Sequence, residues 1–264
     1  MADRPLALVT GGARRVGRAT ALALAGAGCD LIVTYLGSDA EARTLVGDAR
    51  PLGAGVACER LDLGDLAAVR AFGASMARSH GRLDVLVHNA SVYHASTLDE
   101  LTGDPSSPGD RAATPSVPDI EHAFRVNAVA PLVLTAALAP LLRRSILPGG
   151  GSVVAMCDIH AMGRPRRGLA AYSMSKAALE EMVRSLALDL APEVRVNGVA
   201  PGVVAWPEHG RESDPTMQAR YLARVPLERA GTPEDAAEAV RWLAFDAHYS
   251  TGQIIRVDGG RWLT

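Results

Sequence analysis

Short β-rich runs alternate with longer helical ones along the whole chain, and that alternation limits the fold more than any other feature. Leu6–Thr10, Leu31–Tyr35, Val56–Leu61, Val85–His88, Ser152–Met156, Val194–Val199 and Ile254–Val257 read as strands. Helical patterns fall near 16–27, 39–49, 65–79, 119–144, 171–191 and 233–246. Strands separated by helices of that length imply βαβ units and a parallel sheet. Near-continuous apolar strands, such as the Leu31-Ile32-Val33 run, suit a sheet covered on both faces by helices. The expected architecture is α/β: one doubly wound domain over residues 1–264 with a mostly parallel seven-stranded sheet. The stretch at 99–118, rich in Pro, Gly, Ser and Asp, reads as an irregular surface insertion, either a substrate lid or a tolerated excursion.

Composition narrows the partners. With 264 residues, 48% of them hydrophobic, the chain can bury a large core. Its net charge of −2 gives no electrostatic case for nucleic-acid binding. Three cysteines without a CxxC spacing argue for a reducing compartment and against a disulfide framework or a zinc site. The start, MADRPLALVT, is unlike a signal peptide. The longest apolar run, Ala128 to Leu142, is broken by Pro131 and Pro140. It falls short of the roughly 18–20 residues a membrane span needs. A soluble cytoplasmic protein, with no membrane or metal, is expected.

After the first strand, Thr10-Gly11-Gly12-Ala13-Arg14-Arg15-Val16-Gly17 leads into a helix. Glycines at a strand-to-helix turn let the backbone approach a pyrophosphate, and the free amides of the helix N-terminus hold the anion. The expected domain is therefore of Rossmann type. Arg14 and Arg15 face the positive end of the helix dipole, which is unfavourable by up to about 1 kcal/mol unless an extra anion sits there. The 2′-phosphate of NADPH is the natural candidate. The end of the second strand agrees: Val33-Thr34-Tyr35-Leu36-Gly37-Ser38 offers no carboxylate to bind a ribose 2′-hydroxyl before Asp39, and the Ser38 hydroxyl is placed to bond a phosphate.

Tyr172 and Lys176, in Tyr-Ser-Met-Ser-Lys, fall on one face of a helix about one turn apart. A free phenol has a pKa of about 10 and is a poor acid or base near neutrality. A neighbouring ammonium favours the phenolate, so Lys176 is expected to lower the Tyr172 pKa toward the range useful for proton transfer.

These motifs, in this order and over essentially the full length, resemble the short-chain dehydrogenase/reductase family. TGGARRVG is similar to its cofactor turn, Asp62 to its adenine-contacting acid, and His88-Asn89-Ala90-Ser91 to its NNAG motif. Asn127 matches its catalytic-helix asparagine and Tyr172 with Lys176 its catalytic pair, while Pro201-Gly202 and Val257-Asp258-Gly259-Gly260 match later landmarks. Within the family the chain most resembles pteridine reductases, including bacterial ones. Arg15 stands at the middle glycine of the cofactor turn, NAS replaces NAG, and Asp158 appears at the active-site serine, with His160 as the alternative occupant. The segment from Leu190 to Glu208 is a further likeness.

The resemblance implies NADPH held by Gly11, Arg14, Arg15, Val16, Tyr35 and Ser38, then by Asp62, Leu63, Asn89, Ala90 and Ser91. Tyr172, Lys176, Pro201 and Gly202 would complete that site. The implied reaction is reduction of a pterin (dihydrobiopterin- or dihydrofolate-like), with Asp158 and Tyr172 donating the proton. Lys176 would hold the nicotinamide ribose and Asn127 anchor a water chain. The pterin would stack on Tyr93 and meet Ser91, which alternatively bonds the cofactor phosphate. Trp206 would wall the pocket or pack. A homotetramer is implied, joined through the helices around 119–144 and 171–191 and through Val257–Thr264. Two other readings stand beside this one: a carbonyl reductase acting on 3-oxoacyl thioesters or small ketones, and a non-catalytic NADPH-binding regulator.

Overall fold

The computed structural model describes residues 4–93, 117–206 and 213–264. Most of the irregular insertion expected at 99–118 lies outside them. Seven strands, β1 (Leu6–Thr10), β2 (Asp30–Tyr35), β3 (Val56–Arg60), β4 (Val85–His88), β5 (Gly151–Met156), β6 (Val194–Pro201) and β7 (Ile254–Val257), form one sheet in the order β3-β2-β1-β4-β5-β6-β7. Every pairing is parallel. The helices are α1 (Arg15–Gly26), α2 (Asp39–Ala49), α3 (Leu66–Ser79), α4 (Val117–Phe124), α5 (Ala130–Leu142), α6 (Ala170–Asp189), α7 (Pro215–Leu222) and α8 (Pro233–Phe245).

Period-two alternation along the strands feeds two cores, one on each face. Leu8, Leu86, Val153 and Val196 point to the face covered by α3, α5 and α6, where they meet Phe72, Leu134, Leu138 and Val183. Val9, Val87, Val154 and Val199 point the other way, toward Leu24 of α1 and Val240 of α8. Because neither face of the central strands β1, β4 and β5 meets water, their sequences are apolar almost throughout. The strand order reverses between β1 and β4. Helices there leave in opposite directions, and a crevice opens beyond the carboxyl ends of the strands.

The opposite, amino-terminal edge is closed by two charges. Asp84, with no exposed surface, accepts from Leu6 N (2.7 Å), Ser145 Oγ (2.8 Å), Ile146 N (2.8 Å) and Arg82 Nε (3.1 Å). Arg195 donates to the carbonyls of Gly149, Leu243, Ala244 and Ala247 at 2.7–3.0 Å, and Leu243 and Ala244 lie in the last turn of α8. A guanidinium suits carbonyls that have no helical partner of their own.

Two expectations change here. The helix expected near 119–144 is present as Asp119–Leu142 and runs on through Pro131 and Pro140, but against the reading of a segment too short for a span it is long and apolar enough on length and composition to cross a membrane. Four of its five leucines between 130 and 142 instead fill the core, Leu134, Leu138, Leu141 and Leu142 being buried. The irregularity falls earlier, as a π turn over Arg125–Val129 between α4 and α5. The second change is α7, which was not anticipated. Asp214 caps it by accepting from Thr216 N at 2.8 Å, with Pro215 in the first turn.

Candidate active site

The crevice at the β1/β4 switch point is a cleft of about 450 Å³ lined by Gly11, Arg14, Val16, Tyr35, Ser38, Asp62 and Asn89 among others. Gly11 takes a φ of +62°, and a Cβ there would come within 3.0 Å of Ala90. At Gly17 a Cβ would lie 2.2 Å from the Gly11 carbonyl oxygen and 2.5 Å from Asn89 Nδ2. Asn89 fixes the turn by donating Nδ2 to the carbonyls of Thr10 and Gly11, both at 3.0 Å. The buried Thr10 hydroxyl accepts from Asn89 N (3.0 Å) and Ala90 N (3.2 Å). The ends of β1 and β4 are thereby locked beside a helix N-terminus, an arrangement built to hold a phosphate.

Chemistry concentrates at the next two strand ends. Tyr172, on the first turn of α6, is 8% exposed and donates its hydroxyl to Asp158 Oδ2 at 2.9 Å. The other Asp158 oxygen accepts from His160 N at 2.7 Å, which holds the carboxylate at the end of β5. His160 itself turns away, its Nδ1 donating to the Arg164 carbonyl at 3.0 Å. Of the two candidates left open by the sequence, Asp158 touches the tyrosine. The Tyr93 ring, 40% exposed, meets the Tyr172 ring edge-on with centroids 4.8 Å apart.

Lys176 lies one turn along α6, 3% exposed, and donates Nζ to the Met156 carbonyl at 2.7 Å. Its ammonium stands 5.9 Å from the centroid of the Tyr172 ring. The expectation that it lowers the tyrosine pKa does not hold. Burial first, then the Asp158 carboxylate, raise the Tyr172 pKa well above its ordinary value. Burial also pushes the Lys176 ammonium down. Tyr172 is thus a protonated acid with its hydrogen already directed at a carboxylate.

A matched family model, described as "Enoyl-(Acyl carrier protein) reductase", covers residues 11–261. The chain belongs to the short-chain dehydrogenase/reductase family. It is 33% identical over 261 residues to an uncharacterized oxidoreductase of Mycobacterium tuberculosis, covering 98% of this chain and 92% of that one. To pteridine reductase 1 of Leishmania tarentolae it is 33% identical over 287 residues, with 98% and 97% covered. Among solved structures, a blue fluorescent protein from a metagenomic library in complex with NADPH superposes with a TM-score of 0.82 at 31% identity, covering 97% of both chains.

Members of this family use NAD(P)H, and the cleft fits such a cofactor. The Gly11/Gly17 cradle leaves backbone where side chains would block a pyrophosphate. Asp62, its Oδ1 accepting from Gly64 N at 2.7 Å, lines the same cleft beside Leu63. Ser38 and Tyr35 line its β2 side, and the Tyr35 hydroxyl donates to Asp39 Oδ1 at 3.3 Å. Arg14 caps the start of α1 without a side-chain cap bond.

Arg15 lines the same cleft. It adopts a φ of +51°, which costs a residue with a side chain about 1–2 kcal/mol. Its Nη2 donates to the carbonyls of Ala205 and Trp206, both at 3.1 Å. These bonds tie the turn to the loop after β6. Pro201 ends β6, and Gly202 N donates to the Val257 carbonyl at 2.9 Å, which seats that loop. The Trp206 ring packs edge-on against Tyr221 at 5.6 Å.

Asn127 sits in the π turn, 1% exposed, with every amide atom engaged. Its Oδ1 accepts from Val92 N (2.9 Å) and Ser91 Oγ (3.1 Å). Its Nδ2 donates to the Val92 carbonyl (3.0 Å) and Ser175 Oγ (2.9 Å). The side chain therefore clamps the loop after β4 to α6. Ser91 spends its hydrogen on Asn127 and keeps lone pairs for a donor in the cleft. Sequence reasoning missed Thr10, Ser175 and His122. Ser175, within the Tyr-Ser-Met-Ser-Lys motif, was findable by its helical spacing. His122 lines the cleft from α4, and no local pattern points to it.

Proposed function

We propose that this short-chain reductase uses NADPH to reduce a C=N bond of a pterin, in the class of dihydrobiopterin or dihydrofolate. The observation that carries the reading is the half-buried Tyr172–Asp158 hydrogen bond at 2.9 Å, with the Tyr93 ring beside it. Similarity to a pteridine reductase over 98% of the chain adds support. NADPH is favoured by a β2 end whose cleft lining has no carboxylate, by Arg14 at that cleft, and by the NADPH-bound structural relative.

When bound, the reduced nicotinamide supplies the hydride. The remaining work falls to side chains of this protein. Tyr172 holds the proton that the substrate nitrogen takes as negative charge develops on it. Loss of that proton leaves a phenolate beside the Asp158 carboxylate, and a proton passed from solvent by way of Asp158 restores the phenol before the next turnover. One hydride and one proton then reach the substrate per turnover. Lys176 anchors the nicotinamide ribose, Asn127 holds the Ser91–Val92 loop against α6, and Ser91 accepts from a pterin amino group. Tyr93 offers a ring face to a flat heterocycle, an interaction contributing about 0.5–1.5 kcal/mol beyond burial.

Similarity to a 3-oxoacyl-[acyl-carrier-protein] reductase of Synechocystis, 30% identical over 260 residues, favours a second reading, reduction of the keto group of a 3-oxoacyl thioester. Against it stands Asp158, because an ionised carboxylate cannot donate a hydrogen bond to a carbonyl. Following NADPH absorbance with dihydrobiopterin, dihydrofolate and an acetoacetyl thioester in turn separates the two. Turnover of either pterin is expected. Turnover of the thioester alone overturns the reading.

The three cysteines are unpaired, which supports a reducing, cytoplasmic setting. A homotetramer is supported by exposed apolar side chains on the two helical segments named above, Val129 and Leu132 on the first and Met174 and Leu188 on the second. Leu263, 81% exposed, marks the carboxy-terminal contact. Sedimentation velocity showing a monomer at assay concentration would remove this part.

A further inference from the structure

Lys176 is the only lysine in the chain, which otherwise takes its cationic side chains from arginine. It is buried on α6, and a buried ammonium needs negative charge nearby to remain an ammonium. Burial pushes Lys176 down, while Cys157, Asp158 and Glu180 push it back up. The first of these supplies nothing at working pH, because burial drives the Cys157 thiol up to about 12 and leaves it neutral. Asp158 has both oxygens committed, one to the Tyr172 hydroxyl and one to His160 N, and in the reaction it passes protons. Glu180 remains, and the reduction chemistry leaves it unused.

Tyr172, Lys176, Glu180 and Arg184 follow one another at helical spacing along α6 and form a row from the proton donor to solvent. Glu180 is 4% exposed, whereas the Arg184 side chain is 50% exposed. One Glu180 oxygen, Oε2, lies 3.7 Å from Arg184 Nη2. The other, Oε1, is buried with no hydrogen-bond partner. Such an oxygen is unfavourable in a core, most of all when it is charged. Burial accordingly pushes the Glu180 carboxyl up to about 7, with Arg184 and Lys176 opposing the rise and Asp158 adding to it. Two of these charges belong to its own helix and the third to the end of β5. Packing alone does not call for a carboxyl here, since Leu179, Met182, Val183 and Leu186 supply the core contacts of α6.

We propose that Glu180 is a positioning residue whose carboxylate is the standing counter-charge that keeps Lys176 an ammonium. The proposal rests on the reading that gives Lys176 to the nicotinamide ribose and is independent of the substrate. An ammonium has three N–H donors. One is spent on the Met156 carbonyl at 2.7 Å, which leaves two for the ribose hydroxyls. A neutral amine would have one fewer. Below about 7 Glu180 holds its own proton, and Lys176 is charged without help. Above about 7 the carboxylate forms, in the range where the buried lysine would otherwise begin to lose its proton.

A single lysine gives a single signal. Protein grown on lysine isotopically labelled at Cε shows one side-chain carbon resonance, whose shift follows the charge of Lys176 with neither cofactor nor substrate present. In Glu180→Gln its titration midpoint is expected at lower pH than in wild type. A midpoint that is unchanged or raised overturns the proposal. Turnover supplies a second readout, measured with NADPH and dihydrobiopterin. The kcat/KM of Glu180→Gln should match wild type within about twofold near pH 6, where Glu180 is already uncharged, and fall about tenfold below it near pH 9. A merely structural role lowers both values by the same factor, so profiles that run parallel or coincide refute the proposal. Should Glu180→Gln fail to fold, Glu180→Leu, which leaves no polar group stranded, takes its place in both measurements. If wild-type protein reduces no pterin, the pterin reading has failed separately, and the lysine resonance alone decides the role of Glu180.

Discussion

Tyr172→Phe lowers kcat by about 10²–10⁴-fold, the usual contribution of a positioned proton donor, while NADPH still binds. The substitution removes one oxygen and leaves the ring, so the edge-on contact with Tyr93 at 4.8 Å and the packing of α6 persist. Only the hydrogen bond to Asp158 is lost. Cofactor affinity is read by titrating NADPH fluorescence, and kcat by steady-state turnover of the accepted substrate. Wild-type turnover in the variant would show that the proton reaches the substrate by another route, and the mechanism would fall with it. A wild-type protein that binds NADPH yet turns over no substrate would point to a regulator instead.

The second large effect is expected at a residue that takes no part in proton transfer. Gly17→Ala places a methyl group 2.2 Å from the Gly11 carbonyl oxygen, 2.5 Å from Asn89 Nδ2 and 2.9 Å from Gly12 Cα. Two of those neighbours are backbone. The third is a side chain already fixed by two hydrogen bonds to backbone carbonyls. Nothing there can yield without moving α1 or the turn. Overpacking of this kind costs about 1–3 kcal/mol, and displacing the turn weakens NADPH binding about tenfold or more. Denaturant midpoints and NADPH titration measure the two effects. A variant with wild-type values for both would show that α1 can slide along the sheet, contrary to the packing described.

Strand positions were legible because this sheet buries both faces, which leaves apolar runs that few loops imitate. The glycine turn and the Tyr172–Lys176 pair were legible because their chemistry requires fixed local spacing. What escaped detection depends on contacts distant in the chain. The π turn at Arg125–Val129 changes a hydrogen-bonding pattern without altering apolar periodicity. Helix α7 has no buried residue and so no apolar stripe, although Asp214-Pro215 is a readable start signal. The electrostatics of Tyr172 were misjudged for the same reason. Helical spacing placed an ammonium nearby, but only the tertiary structure shows how deeply the phenol is buried and that Asp158 takes its hydrogen. Spacing could not separate Asp158 from His160, since both follow β5 and only the folded chain shows that Asp158 alone bonds the Tyr172 hydroxyl.

Asp84 and Arg195 stitch the edge of the sheet opposite the chemistry. Durability and reactivity therefore reside at different poles of the molecule. Loops beyond the carboxyl ends of the strands are free to diversify toward new substrates without loosening the seam beneath them. A designer who retunes Trp206 or its loop is changing upholstery, while the frame is held from behind.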